Sequence, residues 1–564
     1  MVEQGNVQSF ALSLKKLMID SSTRRVLGEN SYKKSLKYTS EKIVGKWIKL
    51  LERRDTVSSD RMKNTKRNVI TGFLSIILDM LFPFILNTIV IRTLGVEYLG
   101  LNSLFASILQ VLSLAELGVG AALVFSMYDP IAKGETFKVC ALLRLYRNVY
   151  LSIGSVIVFA GAICIPFLDK FIQGDVPDNL NIYILFIINL ANTAVSYFLF
   201  SYRTSLLQAS QRIDIRNEIG MITSILMNVS KILILVLLRN YYLFCLSVPF
   251  FTIINNIIIW YITRKKFPEY RCRGTISKEE QREIRKRIFG LFINRVCEVI
   301  CNSFDSIVIS SFLGLTILGK YNNYYYIMNA LMTVLGIIIY SMIPSIGNSI
   351  ATETKEKNYN DFLIIQYGFS WLTGCACICL VCLYQPFIEL WVGKDMLMDT
   401  KMIFLFGLYM YLVKSSEVFT AFRQAAGIWA KDKIRPILEA GINLILNVFL
   451  VKNFGVFGVL VSTIVTLGLI HIVWGSYYLF KEYFTEYSHI KYLFHLLYYF
   501  VLTVIGTITC YFICGLFDLS GIPCILVRLG ICLLVSNIIY FSGLSWKAEF
   551  KKIIGLIRNM NKRR

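Results

Sequence analysis

Apolar runs of similar length succeed one another along most of this chain, at about 69–91, 101–127, 149–168, 181–202, 218–238, 241–263, 288–313, 321–346, 363–385, 402–422, 436–451, 455–480, 492–514 and 521–542. Most hold roughly 20 predominantly apolar residues, the length a helix needs to cross the hydrocarbon core of a bilayer. Lipid offers no partner to a backbone amide, so a crossing segment must satisfy its own. The runs therefore predict an all-α integral membrane protein with about 14 transmembrane helices. Charge interrupts the pattern in three longer stretches, 1–68, 264–287 and 543–564. An even number of crossings puts the first and last of these on one side.

Composition agrees, and charge sharpens the topology. Of 564 residues, 55% are hydrophobic and 17% charged, and the mean hydropathy is +0.58, outside the soluble range. A soluble enzyme with one buried core is excluded. The net charge of +23 would suggest a nucleic-acid surface in a soluble protein. Here 48 Lys and Arg fall on the side of the termini, and only Arg92, Lys170, Arg239, Lys320, Lys394, Lys401 and Lys452 fall on the other. The asymmetry predicts a multi-pass protein of the cell (inner) membrane with both termini cytoplasmic, its positive face drawn to anionic lipid headgroups. No nucleic-acid partner is expected, since no aromatic-basic motif accompanies the charge. Residues 1–68 carry 16 basic and 7 acidic side chains and no signal peptide, so insertion begins at the first span. Cys375, Cys377, Cys379 and Cys382 form the one group among 14 cysteines. They lie on an apolar run without a His or carboxylate beside them and read as small packing residues, with no metal and no cofactor.

A repeat organises the spans. Leu94-Gly95-x-x-x-Leu99-Gly100 follows the first span and Leu313-Gly314-x-x-x-Leu318-Gly319 the seventh, at an offset of 219. The same offset relates Ile215-Arg216 to Ile434-Arg435, Asn228-Val229 to Asn447-Val448 and Asp79 to Glu298. The chain thus divides into a cytoplasmic tail (1–68), a six-helix bundle (69–263), a basic linker (264–287), a homologous six-helix bundle (288–480), two added helices (481–542) and a basic tail (543–564). Six is even, so the halves are parallel repeats, the frame of a transporter that rocks two bundles around a central site.

The stretches Thr93-Leu-Gly-Val-Glu-Tyr-Leu-Gly-Leu-Asn102, Ser113-Leu-Ala-Glu-Leu-Gly-Val-Gly120, Phe312-Leu-Gly314, Pro344-Ser-Ile-Gly-Asn348 and Phe422-Arg-Gln-Ala-Ala-Gly427 carry a family resemblance. Over about residues 66 to 545 the chain resembles the polysaccharide-transporter branch of the multidrug/oligosaccharidyl-lipid/polysaccharide exporter superfamily, in the manner of a Wzx-type flippase. The resemblance implies a MATE-like fold, alternating access, and transfer of a polyprenyl-pyrophosphate-linked oligosaccharide from the inner to the outer leaflet. Glycan polymerases and glycosyltransferases of one pathway would be its partners.

The residues suit such a cargo. An anionic, polar head needs cations and hydrogen-bond donors to cross hydrocarbon. Four basic residues fall inside spans: Lys231, Arg295, Lys414 and Arg528. Arg295, Glu298, Asn302 and Asp305, at i, i+3, i+7 and i+10, share one helical face. Arg295 and Lys414 are the candidates for the pyrophosphate, with Asn302, Arg203 and Arg423 as further contacts. Structural pairs with Glu298 and Glu417, and snorkelling of Arg203 and Arg423, are the alternatives. No Walker loop is present, so the chain does not hydrolyse ATP. Asp79, Glu116, Glu298 and Asp305 are the intramembrane acids that could couple H⁺ or Na⁺, against passive flipping. Tyr321, Tyr324, Tyr325 and Tyr326 read as an interfacial belt, and His471 and His495 show no ligand spacing. A multidrug or small-cation antiporter of the same superfamily is the second reading, and a non-transporting scaffold the third.

The tail predicts two amphipathic helices around a break at Gly28-Glu29-Asn30, with Ile43, Val44, Trp47, Leu50 and Leu51 on one face. Residues 27–47 resemble the extreme C-terminal helices of family-4 glycosyltransferases. The nucleotide-sugar site of such an enzyme has no counterpart here, so the resemblance implies a remnant without transferase activity. A basic helix lying on anionic lipid is the alternative.

Overall fold

The computed structural model describes residues 74–546 apart from 114–118, 174–175, 178–179, 201, 211, 429–431, 433 and 518, together with 11, 15, 18–35, 67, 71–72 and 550. Within those helices the side chains of 24, 31–35, 119, 121–122, 132, 283, 285–295, 298 and 300–302 fall outside the description. The chain forms two units, 1–72 and 73–564.

In the first unit α1 (Ser21–Ser35) is exposed and polar. Asp20 starts it by accepting the Ser22 and Thr23 amides and the Thr23 hydroxyl at 2.6 Å. These bonds, that of the Thr23 hydroxyl above all, hold its carboxyl well below the usual carboxylate range. The helix runs through Gly28-Glu29-Asn30, where a break was expected. One mid-helix glycine costs only about 1 kcal/mol, which the cap and the Arg25–Glu29 pair across one turn (3.6 Å) offset. The expected second tail helix lies outside the described residues.

The second unit is all helical among the described residues. It comprises α2 (Leu74–Thr93), α3 (Val96–Leu112), α4 (Val119–Lys133), α5 (Thr136–Cys164), α6 (Ile182–Phe198), α7 (Tyr202–Ala209), α8 (Ile213–Leu233), α9 (Tyr241–Lys266), α10 (Lys278–Leu313), α11 (Leu315–Thr352), α12 (Lys355–Val392), α13 (Thr400–Ala425), α14 (Ile434–Thr466), α15 (Gly475–Glu482), α16 (His489–Gly515) and α17 (Gly521–Leu544). The starts follow local chemistry. Asn181, Asn240, Ser277, Thr354, Asp399 and Ser488 each cap the helix they precede with a side-chain oxygen.

Ten of these helical stretches are long and apolar enough to cross a membrane, eleven if the bent pair α6 and α7 is one span. Among the described residues fourteen is not reached, for three reasons, the first being that the run at 288–313 lies partly outside them and leaves only the shorter apolar stretch Ser303–Leu313 of α10. The run at 101–127 is divided between α3 and α4, each too short alone. The runs at 436–451 and 455–480 form one stretch, Ile434–Glu482, broken at Gly455 (φ 58°, ψ −140°). Its 49 residues would span about 74 Å as a straight helix, more than twice the hydrocarbon thickness.

The repeated glycines meet in space. Gly95 and Gly314 precede α3 and α11 with φ of +128° and +89°, which a side chain would disfavour. One turn on, Gly100 of α3 lies against the Leu315 backbone and Gly319 of α11 against the Val96 backbone. An added methyl would overlap the Leu315 carbonyl in the first case and stand 2.7 Å from the Val96 carbonyl oxygen in the second. Since 96 corresponds to 315 and 100 to 319, the two contacts are images of one another. On the same line the Thr316 hydroxyl donates to Glu97 at 3.1 Å, again a pair of repeat-equivalent positions.

The two bundles join around this crossing. Trp391 donates to the Thr88 hydroxyl (2.6 Å), Tyr326 donates to the Met80 carbonyl (2.6 Å), and the Phe84 ring packs on both aromatics. A large core runs through both bundles, and a separate one lies between α12, α16 and α17. At the opposite end the 264–287 linker is fastened to the first bundle. Arg203 donates to the Tyr270 carbonyl (3.0 Å), the Arg271 amide donates to the Cys140 sulfur, and Lys138 pairs with Glu280 at 2.6 Å. The Lys138 ammonium, through that hydrogen bond, holds the Glu280 carboxyl below its ordinary 4.5.

Candidate transport site

The second half holds a buried carboxylate bonded to polar side chains. Asp305 on α10 accepts a hydrogen bond from the Asn447 amide (2.6 Å) on one oxygen and from the Thr463 hydroxyl (3.3 Å) on the other. Asn447 also donates to Asn443, and its amide oxygen accepts the Ser462 hydroxyl. Asn443 donates to Thr463 and Thr466 at 3.2 and 3.4 Å. All six residues are buried. Among the described residues no Lys or Arg pairs with Asp305. Its shell comes from α10 and α14, which pack together along their length.

One helical face organises this centre. Arg435, Glu439, Asn443 and Asn447 recur every four residues along α14, one above the other. At the start of the stripe Asp432 accepts from Arg423 (2.5 Å) and from Arg435 (2.7 Å). Arg435 donates in turn to Glu439 (2.6 Å), which His471 contacts at 3.1 Å. Two arginines, two carboxylates and a histidine thus form one network, the charged four all buried. The spacing of four was readable in the sequence. What the sequence did not reveal was that Asp432, nine residues past Arg423 around a turn, and His471 close on it.

The other candidates fall in different places. Lys414 is buried on α13 and pairs with Glu417, so the structural alternative holds for it in this conformation. Arg423 is locked to Asp432 rather than snorkelling, and Arg203 is 7% exposed and clamps the linker. Neither presents its head to an open surface. Asp79 is exposed on α2 and makes no ion pair among the described residues. The side chains of Arg295, Glu298 and Asn302, and the whole of Glu116, lie outside the described residues. Of the four residues expected on one face of span seven, only Asp305 has a described side chain. The Tyr run is interior, not an interfacial belt. Tyr321 and Tyr324 are buried and pack on Phe406, and the Tyr324 hydroxyl donates to Gln385 at 2.9 Å.

Lys231 gains weight. It lines a cavity of about 230 Å³ in the first bundle with Asn87, Asn102, Asn228, Tyr98 and Tyr241. Its ammonium stands 5.0 Å from the centre of the Phe244 ring, and no carboxylate faces it among the described residues. Asn228 in this cavity is the repeat counterpart of Asn447 beside Asp305. The two bundles therefore place opposite charges beside equivalent asparagines.

The described helices form a many-span membrane fold in which the repeat-equivalent α3 and α11 cross at glycines. The structure is similar to that of "Lipid II flippase MurJ, inward closed conformation" (TM-score 0.61, 17% identity, 84% of this chain and 98% of that one). It is also similar to the inward-facing conformation of a multidrug resistance MATE family transporter of the MOP superfamily (0.54, 14%, 70% and 92%) and to the outward-facing one (0.52, 14%, 73% and 94%). A search of curated proteins finds no sequence match. Residues 65–350 match the family described as polysaccharide biosynthesis protein, and the chain belongs to that family. Family and fold point to a transporter and not an enzyme, and the protein is a multi-pass membrane protein.

Proposed function

We propose that the protein flips a polyprenyl-pyrophosphate-linked oligosaccharide from the cytoplasmic to the outer leaflet of the cell membrane by alternating access, in the manner of a Wzx-type flippase. Membership of a polysaccharide biosynthesis family on a flippase-like frame supports the cargo class. The observation that carries the reading is Lys231, a cation without a carboxylate partner among the described residues, in a cavity where three asparagines and two tyrosines stand among apolar side chains such as Leu86, Val90 and Phe244. Such a cavity suits an anionic, hydroxyl-rich head, with the ammonium on a phosphate oxygen and the amides on sugar hydroxyls. A cationic drug would need an acid there instead. Arg295 and Asn302, which share one face of span seven by their spacing, are further candidates for the cargo. Lys414, Arg203 and Arg423 act on the cargo only if they exchange their present partners for it.

Asp305 is the coupling group. A buried carboxylate held by the Asn447 amide and the Thr463 hydroxyl can take up a proton, or can hold Na⁺ once the Asn447 amide turns its oxygen inward. Asp79 and Glu298 occupy equivalent positions in the two halves and are the second candidates, with Glu116 after them. By charge distribution the linker, the Arg423–Asp432 network and both termini are cytoplasmic, which makes the glycine crossing the outer seal of a state closed to the outside.

The test is flipping of a fluorescent polyprenyl-pyrophosphate oligosaccharide in liposomes, with an imposed pH or Na⁺ gradient as the only variable. Movement of labelled heads at a gradient-dependent rate supports cargo and coupling together. Expulsion of a cationic dye with no lipid movement would assign the chain to the drug antiporters.

A further inference from the structure

The two helices beyond the second bundle carry a chemistry that the transport site does not use. α16 and α17 pack on α12 around a core of their own, which includes Tyr367, Ile378, Tyr499 and Tyr540. Inside it the sulfurs of Cys382 on α12, Cys514 on α16 and Cys532 on α17 all lie within 4.8 Å of one another, and all three residues are buried. Cys532 is the hub, since its thiol also contacts those of Cys379 and Cys510. None of the described cysteines is in a disulfide.

Arg528 supplies an independent observation. It stands one turn before Cys532 on α17, donates to the Cys382 carbonyl at 3.3 Å, and adds its charge to the surroundings of Cys514. Its Nε is buried without a hydrogen-bond partner. Among the described residues no carboxylate pairs with it. A guanidinium inside a membrane-spanning helix calls for a counter-charge, and neutral thiols supply none.

We propose that Cys382, Cys514 and Cys532 bind one thiophilic d¹⁰ metal ion, Zn²⁺ or Cu⁺, as thiolates, with Arg528 as the counter-charge. Each ligating thiol releases its proton to solvent and the ion keeps its oxidation state. Three thiolates on Zn²⁺ leave a single negative charge, as do two thiolates on Cu⁺ with the third cysteine bound as its neutral thiol, and Arg528 neutralises it. Metal–sulfur bonds of about 2.3 Å set neighbouring sulfurs roughly 3.8–4.0 Å apart, so the three thiols close on an ion with shifts below about 1 Å. An all-sulfur donor set favours soft ions over Mg²⁺ or Ca²⁺. The four cysteines of α12 could not reveal this, because the other ligands come from helices more than a hundred residues away. The ion would fasten the added helix pair to the second bundle.

The test titrates the full-length, reduced protein in detergent with Co²⁺ as a Zn²⁺ surrogate, and separately with Cu⁺ against a chromophoric chelator. One Co²⁺ per chain with a thiolate charge-transfer band that Zn²⁺ removes supports the zinc form. Withdrawal of one Cu⁺ from the chelator without a cobalt band supports the copper form. Cys532→Ser and Cys514→Ser should each lose the signal, Arg528→Met should weaken binding at least tenfold, and Cys164→Ser, in the first bundle, should retain it. Should Cys532→Ser fail to fold, Cys382→Ala carries the comparison. Absence of both signals in the unaltered protein, or equal uptake by the folded cysteine variants, would overturn the proposal.

Discussion

Asp305 keeps a carboxylate away from water among donors that fix its geometry, and its neutral isostere separates charge from shape. Asp305→Asn should leave folding intact and abolish the effect of the coupling gradient on flipping, a loss of about 5- to 150-fold for a coupling of about 1–3 kcal/mol. A gradient response equal to that of the unaltered protein would exclude Asp305 from coupling. The Arg423–Asp432–Arg435–Glu439 network answers a different question. Removing one member leaves an uncompensated buried charge, so Asp432→Asn should destabilise by about 3–5 kcal/mol. A thermal-melting shift in detergent measures it; an unchanged melting curve would mean that the pairs are not formed in the folded protein. Lys231 and Asp305 were both visible in the sequence as charges inside spans. What surrounds them was not, because Asn443, Asn447 and Thr463 are unremarkable polar residues in apolar runs until α14 is laid against α10.

The elements were legible where a local rule decides them. Apolar length fixed the crossing helices, and the Leu-Gly motif at an offset of 219 marked α3 and α11 as equivalents, although only the folded chain shows that they cross at those glycines. Gly100→Val should therefore block the crossing. Overpacking against a backbone costs about 1–3 kcal/mol, here charged only to the state in which the bundles meet. The variant should fold yet show at least threefold less cross-linking between cysteines placed at Glu97 and Thr316. Equal cross-linking would show that α3 and α11 separate at this level. The break at Gly455 and the division at 101–127 were not legible, since a backbone turn inside an apolar run leaves hydropathy unchanged. The linker latch has a pH dependence with a definite sign. Because Lys138 depresses the Glu280 carboxyl, the latch contributes above the unfolded carboxyl range and is lost as pH falls through the depressed value, below its ordinary 4.5. Both side chains are more than a third exposed, so the contribution stays under about 1 kcal/mol. Amide protection of 264–287 should fall in the native protein as the pH drops below the ordinary 4.5 of a Glu carboxyl and be pH-independent there in Glu280→Gln; a native protein with flat protection would refute the latch.

At the scale of the molecule, the halves meet at the glycine crossing and again farther along α3, where Ser303 of α10 donates to Gln110 at 3.1 Å, and the linker is fastened to the first half at the other end. In the proposed alternation, rocking of the two halves opens the crossing while the linker, fastened by Lys138 and Arg203, moves with the first. Glu97 and Thr316, which hydrogen-bond at 3.1 Å, sit where a bond between the halves would hold this state and no other. The double variant Glu97→Cys with Thr316→Cys should form a disulfide under mild oxidation, stop flipping more than tenfold, and recover with reductant, whereas each single variant should flip normally throughout. If the oxidised double variant transports at the reduced rate, the crossing does not open during the cycle, and the alternation must run through another seam of the two bundles.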